Sequence, residues 1–250
     1  KAEAYKKLDS FRPKIGYPDK WRDYSALSIV PGDLFTNVLA LRKYYAADQN
    51  NRVGKKTDRD EWGMTPQTVN AYYNAQFNEI VFPAAILQAP FFDVNADPAV
   101  NYGGIGAVIG HEISHGFDDE GSQFDGDGRL RNWWTKADRK AFDAITNKLV
   151  MQYAGYQPLP GKHLDGRLTL GENIADLSGL QIAYKAYKLS LAGKPAPVID
   201  GLTGDQRFYL GFAQVWRRKH RDQDLANRLV TDPHSPAEYR TATVRNLDTW

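Results

Sequence analysis

The segment His111-Glu112-Ile113-Ser114-His115 constrains this chain more than any other. Its two histidines are four residues apart, so on an α-helix they project from one face, one turn above the other. Two imidazoles so placed can grip one metal ion. Glu112 points about 100° away around the axis, where it acts on whatever the metal holds. Composition alone predicts this H-E-x-x-H pattern about 0.003 times in a chain with this histidine and glutamate content. The competing reading is an amphipathic helix with two surface histidines. Zinc with two histidines and a nearby glutamate is the equipment of a metallopeptidase.

The residues before the motif say what surrounds it. Asp97-Pro98 suits a helix cap and first helical position. Gly103, Gly104, Gly106 and Gly110 then precede His111. Each glycine costs a helix about 1 kcal/mol against alanine. Their presence implies that other backbone passes close by, so a buried active-site helix is expected.

A catalytic zinc needs a third protein ligand and one open position. The chain has no cysteine, which leaves His, Asp and Glu as strong ligands. The H-E-x-x-H-x-x-G-x-x-H continuation is closed, because Asp118 and Gly121 stand where its glycine and third histidine should be. Glu172, in Gly171-Glu172-Asn173-Ile174-Ala175-Asp176, is the alternative. Thr169 and Glu172 also have the spacing of a capping box, and spacing leaves ligand and cap both open. His163 competes, but Gly161, Asp165 and Gly166 place it in a turn. Asp176, one turn after Glu172, suits a carboxylate accepting the outer N–H of a zinc-bound histidine. Asp118 suits the same task for the other histidine, or a plain loop carboxylate.

At 250 residues the chain has room for one large domain or two small ones. A net charge of +2 argues against a nucleic-acid protein held by charge. The basic run Arg217–Arg221 reads as a solvated helix end. No apolar run is long enough to span a membrane, and no signal-peptide pattern opens the chain. Lys1 is not an initiator methionine, so the chain reads as an internal fragment or processed product. A helix is expected from Pro31-Gly32-Asp33 to about Ala47, with Leu34, Val38, Leu41 and Tyr45 at helical spacing. Val69–Tyr73 and Glu79–Phe82 read as a hairpin. Further helices are expected from Thr169, from about Asp205 to His220, and from Ser235-Pro236-Ala237-Glu238. Asp125-Gly126-Asp127-Gly128 looks like part of a calcium loop, but Lys136 stands where the closing glutamate belongs, so it reads as a turn.

Several blocks together resemble the neprilysin and endothelin-converting-enzyme family of zinc metallopeptidases. They are VNAYY (69–73), NEIVFPAAILQAPFF (78–92), NYGGIGAVIGHEISHGFDDEG (101–121), TLGENIAD (169–176), FAQVW (212–216) and DPHSPAEYR (232–240). The lack of cysteine looks like its bacterial branch. The resemblance implies an α+β, predominantly helical, thermolysin-like zincin (gluzincin) domain with a small mixed β-sheet edge. It implies one Zn²⁺ held by His111, His115 and Glu172, with Glu112 as general base and Asp176 supporting a ligand. It implies that His234 donates to the developing oxyanion and that Arg240 binds a substrate carbonyl. Asn70 and Ala71 would pair with the peptide backbone. Ile86, Phe91, Ala107, Val108, Val215 and Trp216 would line the pocket for the residue after the scissile bond, although each alone reads as core.

The function so implied is endopeptidase cleavage of oligopeptides on the N-terminal side of hydrophobic residues, in an extracytoplasmic compartment. Residues 1–250 are expected to be one catalytic domain, with 1–60 a packing segment before the core motifs. On that resemblance the family's N-terminal lid portion is expected to be mostly absent from these residues, as is its extreme C-terminus. That lid portion, if cleaved from the same protein, would be a partner beside the peptide substrates. The alternative is a truncated fragment that holds zinc or peptide without turnover.

Overall fold

The chain is described over residues 1–250 by a computed structural model. It opens with helix α1 (Ala2–Asp9) and strand β1 (Arg12–Gly16). Helix α2 (Leu34–Arg52) follows, then strands β2 (Tyr72–Asn74) and β3 (Glu79–Pro83). The remainder is helical: α3 (Pro98–Asn101), α4 (Ala107–His115), α5 (Lys136–Ala154), α6 (Leu170–Ser190), α7 (Gly204–Val215), α8 (Asp222–Thr231) and α9 (Ala237–Thr241). This is the expected predominantly helical architecture.

The sheet has the order β1-β3-β2. β1 runs parallel to β3 and β2 antiparallel to it, so the sheet is small and mixed as expected. β3 is buried along its whole length, which suits its unbroken apolar run Ile80-Val81-Phe82. β1 contains Pro13, which lacks an N–H and is tolerated because β1 is an edge strand. The hairpin between β2 and β3 turns at Asn78, whose φ of 48° suits asparagine.

The chain forms two units. Residues 17–65 make one, and residues 1–16 with 66–250 make the other. In the smaller unit, Asp33 caps α2 by accepting from the Thr36 N–H at 2.9 Å. Arg22 and Arg52 both bridge Asp48 and Glu61 there. Leu34, Val38, Leu41 and Tyr45 have the predicted spacing, but none of them is buried, and Leu34 is 77% exposed.

In the larger unit, α3 and α4 are one continuous helix interrupted by a π-helical segment, Tyr102–Gly106. Such segments tend to mark functional sites. The glycine argument holds at three of the four positions. A Cβ on Gly103 would lie 1.9 Å from the Phe208 carbonyl oxygen, one on Gly104 2.4 Å from that of Phe91, and one on Gly110 2.3 Å from that of Gly179. Gly106 meets only ordinary contacts. Gly179 returns the contact, since its own Cβ would lie 2.3 Å from the His111 nitrogen. Thus α4 and α6 meet backbone to backbone beside the first histidine, with Asp176 and Glu172 one and two turns upstream on α6.

Gly110→Ala is accordingly expected to force the two helices apart. Overpacking of this kind costs about 1–3 kcal/mol, read as a lower midpoint in urea unfolding. An unchanged midpoint would mean that this contact is not tight.

Three expected helix ends differ. Thr169 precedes α6 but makes no capping bond, because its hydroxyl donates to the Asp165 carbonyl and accepts from Asn173. Ser235 does not cap α9; its hydroxyl donates to Asn173 Oδ1 at 2.8 Å. α7 ends at Val215, so Arg217–Arg221 lie in the connection to α8 rather than on a helix end. No helix of the structure is long and apolar enough to cross a membrane.

Candidate metal centre

His111 and His115 project from the last turns of α4, and Glu172 faces them from the first turn of α6. The ligand atoms of all three lie within 4.8 Å of one another. His111 Nε2 stands 3.0 Å from His115 Nε2, and the two Glu172 oxygens lie 3.1 and 3.6 Å from these nitrogens. Glu172 therefore turns toward the histidines, which leaves no glutamate for a capping box.

The outer nitrogens decide what the inner ones can do. His111 Nδ1 is 2.9 Å from Asp176 Oδ1, and His115 Nδ1 is 2.7 Å from Asp118 Oδ2. A carboxylate at that place accepts, so each Nδ1 carries the hydrogen and each Nε2 keeps its lone pair. Two lone pairs 3.0 Å apart and a carboxylate between them need a cation. Glu172 Oε2 is buried and has no hydrogen-bond donor, as an oxygen reserved for a metal would be. Two nitrogens each about 2.0–2.1 Å from a tetrahedral zinc stand roughly 3.3 Å apart. The donor set thus fits zinc.

The electrostatics agree. Burial alone would lower the pKa of both histidines, but Asp176 and Glu172 raise that of His111, and Asp118 and Glu172 that of His115. Burial pushes Glu172 up, yet the two imidazoles hold its carboxyl far below the usual range. Asp176 is likewise pushed up by burial but brought down to about 2, chiefly by Arg240. The pocket favours positive charge, and a shared divalent cation answers that demand.

Glu112 is 5% exposed and lies on the same helix between the histidines. Burial raises its carboxyl above the ordinary value, against the pull of His111 and His115. His234 comes from the connection between α8 and α9. Its Nε2 is 3.3 Å from Glu172 Oε1, and its Nδ1 is 2.8 Å from Asp232 Oδ1. Arg240, on α9, donates to both Asp176 oxygens at 2.7 Å and lies 3.9 Å from the Trp216 ring centre. The family resemblance assigned His234 and Arg240 to the site, but not the bonds by which Arg240 reaches His111 through Asp176.

The other expected site residues are more dispersed. Asn70 is exposed and Ala71 buried, immediately before the edge strand β2. Ile86, Phe91 and Val108 pack with Ala71 in one apolar cluster, whereas Ala107 and Trp216 belong to another. Val215 is half-buried at the end of α7. His163 is exposed and bonded to the Ala154 carbonyl, so it is no ligand. Asp125 accepts from the N–H groups of Asp127 and Arg129 and from the Arg131 side chain, which makes Asp125–Gly128 a turn.

Comparison with known proteins places this geometry. The chain is 44% identical to endothelin-converting enzyme 1 of Mus musculus over 251 residues, covering 95% of this chain and 32% of that protein. It is 38% identical to neprilysin-3 of Drosophila melanogaster, covering 98% of this chain and 33% of that one. The crystal structure of Mycobacterium tuberculosis zinc metalloprotease Zmp1 in complex with an inhibitor superposes with a TM-score of 0.96. It is 57% identical and matches 99% of this chain against 39% of its own. The chain thus spans about a third of the length of the curated relatives it matches. The model of Peptidase family M13 matches residues 70–249, a run that begins at the strand-edge asparagine and takes in every metal ligand. A match over that much of the sequence establishes that the chain belongs to peptidase family M13.

Proposed function

We propose that this chain is the catalytic portion of a zinc endopeptidase that hydrolyses oligopeptides on the N-terminal side of hydrophobic residues. The observation that carries the reading is the convergence of three lone-pair donors, His111, His115 and Glu172, beside the buried carboxyl of Glu112. Zinc, which His111, His115 and Glu172 would hold, would supply Lewis-acid chemistry there, lowering the pKa of a water toward about 7 and polarising a carbonyl.

The chain's own residues do the rest. Glu112 accepts a proton from the attacking water and passes it to the leaving amine nitrogen. His234 Nε2 donates to the carbonyl oxygen as that oxygen gains charge. Asp232 Oδ1, 2.8 Å from Nδ1, fixes the orientation of the ring and turns Nε2 toward the site. Asp176 and Asp118 hold the two ligand imidazoles in the required tautomer. Asn70 and Ala71, beside the edge strand β2, pair with an extended peptide and set its register. Arg240 contacts a substrate carbonyl while anchored to Asp176. Ile86, Phe91, Ala107, Val108, Val215 and Trp216 receive the side chain that follows the scissile bond.

The uncovered apolar residues of α2, Leu34 and Phe35 among them, meet the rest of a longer protein, whose lid portion restricts access to short peptides. The chain works outside the cytoplasm. Incubation with mixed oligopeptides and mass mapping of the products tests the reading. Cuts before hydrophobic residues that stop on chelation are expected, and an intact peptide pool would reject it. His234→Ala is expected to lower kcat by about 100- to 1,000-fold with little change in KM, as loss of an oxyanion donor does. A raised KM at constant kcat would make His234 a binding residue instead.

A further inference from the structure

Lys7 is 1% exposed, although it lies in an otherwise largely exposed helix, α1. Lysine is almost never fully buried unless paired. Here its ammonium donates to two backbone carbonyls, Gly121 at 2.7 Å and Phe124 at 2.8 Å. It also sits 5.8 Å from the Tyr73 ring centre and 5.6 Å from that of Phe117. Burial pushes its pKa down to about 8, with Asp118 and Asp125 opposing.

The carbonyl that Lys7 holds belongs to a residue that also holds a carboxylate. The Gly121 N–H donates to Asp118 Oδ1 at 2.7 Å, and the Glu120 N–H joins it at 2.9 Å. The other oxygen of that carboxylate, Asp118 Oδ2, is the one 2.7 Å from His115 Nδ1. Gly121 itself is pressed against the end of α4, since a Cβ there would lie 1.8 Å from the His115 carbonyl oxygen. The far end of the connection is equally fixed. The Lys7 carbonyl accepts from Ser10 Oγ and from Asn78 Nδ2, and a Cβ on Gly126 would come within 3.2 Å of the Lys7 Cα.

We propose that Lys7 is a positioning residue for the metal centre: its ammonium anchors the Gly121 turn that aims Asp118 at His115, and so sets how tightly the site holds zinc. A cation buried at one end of this three-bond connection also stabilises the carboxylate in its middle, which keeps the His115 Nε2 lone pair pointed inward. The inference rests on the zinc reading of the site but not on turnover.

The test is a double-mutant cycle on the full chain, with zinc affinity read by competition against a fluorescent chelator. Lys7→Met is expected to weaken zinc about 10-fold, the lower end of what losing an outer partner of a ligand costs. Asp118→Asn should weaken it at least as much, and the double variant should bind no more weakly than Asp118→Asn alone. Lys6→Ala, which removes the exposed ion pair to Glu3 on the same helix without touching the connection, should keep zinc affinity. Folded Lys7→Met protein with a lower melting temperature but unchanged zinc affinity would overturn the proposal, as would additive losses in the double variant. If Lys7→Met does not fold, Lys7→Gln carries the same cycle, and wild-type affinity in it overturns the proposal equally. A wild-type chain that binds no zinc would instead overturn the reading of the site itself.

Discussion

Glu112→Gln is expected to retain zinc at one per chain and to lose about 100- to 10,000-fold in kcat, the range for removing a general base. Glutamine keeps the size and the hydrogen-bonding shape of the side chain but cannot accept a proton. The ligands are untouched, because Glu112 leaves the helix about 100° away from the histidines. Its burial matters to the size of the effect. A carboxyl that is 5% exposed and surrounded by low dielectric holds a proton more readily than one in water, which suits a base that must also return its proton. Metal analysis and steady-state kinetics on the same preparation measure both halves. Near-normal kcat in a zinc-loaded variant would remove Glu112 from the reaction.

Glu172→Ala is expected to remove tight zinc binding, by more than about 100-fold, which exceeds the usual cost of losing an outer partner. The variant strips one of three donors and also leaves two imidazole lone pairs 3.0 Å apart with no carboxylate beside them. Turnover should vanish with the metal. The separate structural readout is thermal: excess zinc should raise the melting temperature of the wild-type chain through preferential binding to the folded state, and should not raise that of the variant. Full zinc occupancy in Glu172→Ala would exclude Glu172 as a ligand and return it to the role of a helix-terminal carboxylate.

How far the sequence reaches depends on how local the cause is. The HEISH pair was legible because helix geometry alone puts residues four apart on one face. The glycines were legible because a helix does not carry so many unless backbone needs the space, and Gly103, Gly104 and Gly110 meet that need at 1.9–2.4 Å. Spacing alone left Glu172 ambiguous between cap and ligand; the family resemblance favoured the ligand, and the carboxylate does face the two histidines. The α2 stripe forecast its helix by spacing alone, and spacing carries no information on burial: Leu34, Val38, Leu41 and Tyr45 are all exposed. α5 went unseen although Thr135 and Asp138 mark its start, because only Thr146 and Tyr153 of its residues are buried and the periodic signal is weak. α8 offered Asp222 and Asp224 in its first turn and Arg228 in its last, a charge signal that was available. β1 was hidden by Pro13. Lys7 had no signal at all, since its partners at Gly121 and Phe124 are more than a hundred residues away.

Zinc titration decides whether a metal held by His111, His115 and Glu172 gives the chain the proposed peptidase activity. The chain is stripped with a chelator, titrated with zinc, and followed for bound metal and for cleavage of a fluorogenic oligopeptide. No cleavage is expected in the stripped chain, and the rate should rise with bound zinc until one ion per chain is held. Cleavage that survives removal of the metal, or a chain saturated with zinc that cuts nothing, would contradict it.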